Sequence, residues 1–316
     1  MCITKKYWKK DCGKMGPFCW NAAVWLSEGA DRRERYIIDN RLVSDCDCSD
    51  ATTLPPQLHI KLTSSGNGSS AGIGRSTAIL MASRGAKLTI HGRMQDKLDE
   101  VAAEIEKTSG CRPFSVLGNI EDVSVREQLI NGTLANFGRI DVLVNNAGWA
   151  KFGTIEKIDA ADIRAMMEVH VVAPFDLCKR ALTELVKNKG NIIMVSSIAG
   201  MRGEPMLVAY SAAKAAMDNM MRSLSGDLGP KGVRINSVNP GATDTNILRT
   251  KEALEFLQQI MSKPNKPSLN SFDRMGNASE VAEVIAFLAS DAASIVTGAI
   301  YTADGGKTAS EPTPRA

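Results

Sequence analysis

From about Leu58 onward, short aliphatic and β-branched runs alternate with longer stretches whose apolar positions recur about every 3.6 residues. The short runs are Lys87–Ile90, Phe114–Leu117, Ile140–Val144, Asn191–Val195 and Val233–Val238. The longer stretches predict helices near 75–85, 94–108, 122–137, 160–187, 209–228 and 278–290. Alternating strands and helices require right-handed crossovers between parallel strands. Runs such as Val142-Leu143-Val144 are apolar on successive residues, which fits strands covered on both faces. The pattern therefore predicts an α/β chain built on a doubly wound parallel sheet, one domain spanning 58–309, with a short tail at 310–316. The first strand is expected at Leu58–Leu62. The polar run Ser64-Ser65-Gly66-Asn67 that follows reads either as an insertion or as the degraded end of that strand.

Residues 1–57 have a different texture. Five of the seven cysteines (Cys2, Cys12, Cys19, Cys46, Cys48) and three of the four tryptophans (Trp8, Trp20, Trp25) lie there. No Cys-x2-Cys pair with a matching second pair occurs, so a zinc site is not expected. Phe18–Leu26 is apolar, but it is embedded in mixed charge and lacks a small-residue cleavage pattern. The segment is read as an atypical, poorly ordered N-terminal extension. Over the whole chain 38 basic residues face 35 acidic ones, a formal charge of +3 that gives no reason to expect nucleic acid or an anionic membrane as partner. No apolar run approaches the roughly 18 residues of a spanning helix. An odd cysteine number in a chain this long points to a reducing compartment and a cytoplasmic location.

The chemistry concentrates where predicted strands end. Asn67-Gly-Ser-Ser-Ala-Gly-Ile-Gly74 opens the first helix, and Gly68, Gly72 and Gly74 let a backbone approach a pyrophosphate at a helix N-terminus. The same stretch matches Gly-x-Ser-x-Gly through Ser70, the nucleophile elbow of hydrolases, which would need a histidine downstream. No histidine follows His170, so the dinucleotide reading is preferred. At the end of the second strand Arg93 stands where a carboxylate would meet a ribose 2′-hydroxyl, and a guanidinium there suits a 2′-phosphate. NADP(H) is expected over NAD(H). Asn145-Asn146-Ala147-Gly148 closes the fourth strand with small and amide side chains suited to a flat ligand. Tyr210 and Lys214 are spaced i, i+4 on one helix face, and Ser197 ends the strand beside it. A cation near the phenol is expected to lower its pKa and ready it for acid–base work.

Taken in order, these motifs resemble the short-chain dehydrogenase/reductase family, over roughly Leu58 to Ala309. The resemblance implies a Rossmann-type fold and an NADP(H)-dependent interconversion of a ketone and a secondary alcohol. It casts Tyr210 as proton donor, Ser197 as partner of the substrate oxygen, and Lys214 as aid to the phenol and holder of the nicotinamide ribose. Gly68, Ser70, Gly72, Ile73 and Gly74 would form the cofactor loop, and Asn146, Ala147 and Gly148 the fourth-strand wall. Asn119 and Ile120 would meet the adenine, although the family's acidic residue there is Asn119. Asn239-Pro240-Gly241 and Thr245 are similar to the segment holding the nicotinamide, and Thr302–Gly306 to the last strand and its turn. His170 stands where the family has an asparagine supporting a water in the proton path, and it reads either as that residue's replacement or as a neutral core histidine. The expected partners are a small carbonyl or alcohol, with 246–274 as a mobile lid, and other copies of the chain. Surplus apolar residues on 160–187 and 209–228 (Met166, Met167, Val171, Val172, Met217, Met220, Met221) suggest a homodimer or homotetramer. The alternative from another class is a non-catalytic dinucleotide-binding protein with a compromised cofactor strand.

Overall fold

The computed structural model describes residues 59–63, 72–245, 247, 253–255, 258 and 269–309; the extension 1–57, Gly68, Ser70, most of the segment 246–274 and the tail 310–316 lie outside them. Seven strands form one parallel sheet: β1 His59–Thr63, β2 Lys87–Gly92, β3 Phe114–Leu117, β4 Val142–Asn145, β5 Asn191–Val195, β6 Arg234–Pro240 and β7 Ile300–Ala303. Their order is β3-β2-β1-β4-β5-β6-β7, so the winding direction reverses between β1 and β4. At such a reversal the crossover helices diverge and leave a crevice beyond the strands' carboxyl ends. The helices are α1 Gly72–Ser83, α2 Gln95–Ser109, α3 Val123–Phe137, α4 Ala160–Met167, α5 Ala173–Asn188, α6 Val208–Leu228 and α7 Ala278–Ala289.

Successive residues of the inner strands serve opposite layers. Val142, Val144, Ile193 and Val195 join α1, α2 and α7 in one core, while Leu143, Ile192 and Met194 join α3, α5 and α6 in the other. That is the two-residue side-chain period of a strand, with apolar residues demanded on both sides. A polar exception is matched: Thr89 on β2 meets Thr133 on α3, hydroxyl to hydroxyl at 2.8 Å.

Three expectations change. β1 is shifted one residue from the predicted Leu58–Leu62, because Thr63 stays in register with Asn145 of β4. The strand is paired on both edges, with Lys61 opposite Thr89 and Leu143. The predicted helix 160–187 is interrupted by a π-helical turn at Glu168–Val172, where the Ala173 N–H bonds the Glu168 carbonyl. Pro174 supplies the reason: it has no N–H to offer the His170 carbonyl one turn back, so the ladder widens there. Finally, Met166, Met217 and Met221 are fully buried in the protein's own core and are not surplus surface. The large apolar residues exposed along α4, the π turn and α5 are Ile163, Met167, Val172 and Phe175.

Candidate active site

β5 delivers its last side chains to the crevice. The ladder continues one residue past the strand, the Ser196 N–H bonding the Val238 carbonyl at 2.8 Å. Ser197 then stays extended and caps a 3-10 turn, Ile198–Gly200, its Oγ accepting from the Ala199 N–H at 3.1 Å. The turn lies directly on α6. A β-carbon at Gly200 would stand 2.7 Å from the main-chain carbon of Lys214, so only glycine permits this approach. The close docking sets the Ser197 hydroxyl beside the Tyr210 phenol, near enough to act on its ionisation. One turn along α6, Lys214 donates from Nζ to the Val195 carbonyl at 2.7 Å and sits 5.6 Å from the Tyr210 ring centroid.

Both side chains are buried, and burial dominates their electrostatics. Desolvation pushes the Tyr210 phenol up to about 12; the Ser197 hydrogen bond works against this, and the Asp218 carboxylate adds to it. Desolvation lowers Lys214 to about 7, with Asp218 pulling it back up. The expectation that the lysine would lower the phenol is therefore corrected. The i, i+4 spacing places the pair together, but the groups that move the phenol are its burial, Ser197 and Asp218, and taking a phenolate out of water is the largest of these effects. At neutral pH the phenol holds its proton, which is the state a proton donor needs.

His170 comes from the π turn and packs edge-on against Tyr210, the ring centroids 5.3 Å apart. Its Nε2 bonds the Trp149 carbonyl at 2.9 Å. A carbonyl only accepts, so Nε2 carries the hydrogen and Nδ1 is left as an acceptor, without a partner among the described residues. Burial, reinforced by the nearby Lys214 cation, holds the imidazole well below its usual pKa, so it is neutral across the working range. A β-carbon at Gly148 would stand 2.5 Å from the imidazole Cε1, which ties the fourth-strand motif to this ring.

The remaining predicted residues line the strand ends. Gly72 begins α1 with φ +75°, a conformation L side chains rarely adopt, and a β-carbon there would meet the Thr245 methyl at 3.2 Å. The first turn of α1 holds no acidic residue. Gly72 and Thr245 thus share one wall, and Ile73 and Gly74 follow in the first turn of α1 with Ile73 packed against the core. A small, positively polarised helix start of this kind fits a pyrophosphate. Arg93 is exposed immediately past the end of β2. Asn146 is half-buried next to buried Ala147 and Gly148, whereas Asn145 points into the core against Cys178 and Met194. Asn119 is exposed beyond β3, but the Ile120 side chain is buried in the core, leaving only its backbone for the crevice. Pro240 ends β6, and Gly241 follows so close to Asp304 that a β-carbon would lie 2.9 Å from the Asp304 Cα. Among the described residues no group of histidine, cysteine and carboxylate side chains is arranged to hold a metal ion.

Some contributors gave no local signal in the sequence. Arg126 is buried between α3 and α5; it donates to the Ile120 and Glu121 carbonyls at 2.8 and 2.9 Å and to Asp176 at 2.7 Å, pinning the turn after β3. Asp218 and Asn239 form a buried pair behind Ser197. A charge on a polar-looking helix stretch reads as solvated surface until its distant partner is known.

A family model described as enoyl-(acyl carrier protein) reductase matches residues 66–308. The chain is 35% identical over 243 residues to a 3-oxoacyl-[acyl-carrier-protein] reductase of Synechocystis, covering 76% of this chain and 94% of that protein. It is 37% identical over 244 residues to a cis-4-hydroxycyclohexanecarboxylate dehydrogenase of Sinomonas cyclohexanicum, covering 77% and 94%. Among solved structures, levodione reductase superposes with a TM-score of 0.69 at 28% identity, over 80% of this chain and 98% of that one.

Proposed function

Because the chain belongs to the short-chain dehydrogenase/reductase family, an oxidoreductase family acting on alcohols and ketones with NAD(P)(H), we propose that it is an NADP(H)-dependent carbonyl reductase with Tyr210 as its proton donor. The observation that carries this reading is the buried Tyr210 phenol, flanked by the Ser197 hydroxyl and backed by Lys214, at the carboxyl ends of the central strands. Its relatives span both directions by name, a 3-oxoacyl-[acyl-carrier-protein] reductase and a cis-4-hydroxycyclohexanecarboxylate dehydrogenase. The substrate class we assign is a small or acyl-carrier-linked ketone.

The cofactor, when bound, supplies the hydride. This chain does the rest. Ser197 and Tyr210 together hydrogen-bond the carbonyl oxygen, and the phenol gives its proton as negative charge develops there. Lys214, fixed by the Val195 carbonyl, favours the phenolate left behind. His170 offers its bare Nδ1 to a water or hydroxyl on the proton path. Gly68, Ser70, Gly72, Ile73 and Gly74 would cradle the pyrophosphate. Asn119, the Ile120 backbone, Asn146, Ala147, Gly148, Pro240, Gly241 and Thr245 would line the rest of the groove. The domain assignment (catalytic 58–309 with an extension and tail), a cytoplasmic location and assembly as a homodimer or homotetramer belong to the same reading. The exposed Ile163, Met167, Val172 and Phe175 supply an apolar strip for that assembly.

NADPH consumption over a panel of ketones tests the activity, and no turnover with any would refute it. Arg93 tests the cofactor choice. A charge-assisted contact with a 2′-phosphate is worth about 1.5–3 kcal/mol, so NADPH should be preferred over NADH by roughly ten- to a hundredfold in kcat/KM. In Arg93→Ala that preference should collapse; an unchanged ratio would reject Arg93 as the determinant.

A further inference from the structure

Asp218 lies on α6 one turn beyond Lys214 and is 2% exposed. Its Oδ2 accepts from the Asn239 Nδ2 at 2.7 Å, and its Oδ1 has no partner among the described residues. A buried carboxylate with a single hydrogen bond is costly to keep, and an apolar residue of similar size would pack at least as well. The cost makes sense once the second bond of Asn239 is considered. The same Nδ2 donates to the Ser197 main-chain carbonyl at 2.9 Å. A carboxylate can only accept, so it forces the amide to turn its NH2 inward. One hydrogen then goes to Asp218, and the other must point at Ser197.

We propose that Asp218 is a positioning residue, which through Asn239 clamps the Ser197 backbone onto α6 and so sets the serine hydroxyl against the Tyr210 phenol. The clamp joins three elements, α6, β6 and the turn after β5, at the point where Gly200 lets that turn rest on the helix. Without it the Ser197 carbonyl keeps only the Gly200 N–H at 3.0 Å, and the turn is held by its own hydrogen bonds and by Gly200 packing, with no side chain tying it to β6 and α6. Other charged or titratable groups facing this corner are Tyr210 and Lys214 on α6 and the neutral His170 from the π turn; none of them bonds the Asn239 amide.

The proposal rests on the catalytic role assigned to Ser197, and a double-mutant cycle on ketone reduction separates the two. Asp218→Ala should lower kcat by at least ~10-fold while the KM for NADPH stays within about threefold. Added to Ser197→Ala, which has no hydroxyl left to position, Asp218→Ala should lower kcat by less than about threefold more. Asp218→Asn keeps an acceptor oxygen for Asn239 but removes the charge that supports the Lys214 ammonium. Its pH profile should therefore move to lower pH, while kcat on the acid plateau, where all variants are compared, recovers to within about threefold of the parent. Should Asp218→Ala fold poorly, Asn239→Ala cuts the same clamp and carries the same cycle. Costs that multiply independently in the double variant, or an unimpaired Asp218→Ala, would overturn the clamp while leaving the activity assignment intact. Full activity in Ser197→Ala alone would remove the role of Ser197 and the clamp with it.

Discussion

Tyr210→Phe is expected to lower ketone reduction by at least ~10²-fold while the cofactor still binds and the fold persists. The substitution removes one oxygen from a ring that is otherwise packed against His170 and beneath Lys214. That oxygen carries the proton assigned to the substrate carbonyl, and it holds this proton because burial pushes the phenol up to about 12. Losing the polar contact with Ser197 should shift the melting temperature by only a few degrees, about 2–4 °C per kcal/mol in a domain of this size. Cofactor binding by fluorescence titration, thermal melts and initial rates on one preparation check all three statements. A variant retaining most of its activity with its best ketone would dismiss Tyr210 as the acid.

Lys214→Met should produce the second large loss, about ~10²-fold in reduction, and at the same time stabilise the protein at low pH. Burial lowers Lys214 to about 7, so between that value and the ordinary lysine range near ~10.4 the unfolded chain binds more protons than the folded one. Stability of the parent therefore rises with pH across this window, and the buried ammonium costs most below about pH 7. Methionine relieves that cost and forfeits the bond to the Val195 carbonyl. The variant should melt about 3 °C or more above the parent at pH 6, with the gain vanishing or reversing by about pH 10. Reduction by the parent should decline as pH rises through about 7 and the ammonium is lost. In the variant that decline should disappear, leaving a weak activity that extends to alkaline pH. Melting curves at pH 6 and 10 check the sign; a lower melting temperature at pH 6 would show that the ammonium is not disfavoured by burial.

Much of this architecture was readable from the chain. The parallel sheet follows from strands such as Val142-Leu143-Val144, where consecutive apolar residues have no use unless both faces are covered. Tyr210 and Lys214 were legible because four residues on a helix is a local distance. Their ionisation was not, because spacing reports proximity and says nothing of burial, which here outweighs it. The π turn was signalled by Pro174, but a continuous apolar period across 160–187 masked it. Asp218 gave no local sign at all. Its partner Asn239 lies 21 residues away on another element, and only the parallel register brings β6 beside α6 and the Ser197 turn.

The central claim is that Tyr210 protonates a carbonyl while a nicotinamide hydride reaches its carbon. Single-turnover reduction with NADPH deuterated at the transferable C4 position, followed by mass spectrometry of the alcohol, tests it most directly. The account predicts one deuterium on the carbinol carbon with the parent chain, at least ~10²-fold slower formation of the same product with Tyr210→Phe, and a marked preference for the NADPH label over the NADH label. Saturable NADPH binding with no labelled alcohol from any ketone tested would contradict it and would leave a dinucleotide-binding protein without this chemistry.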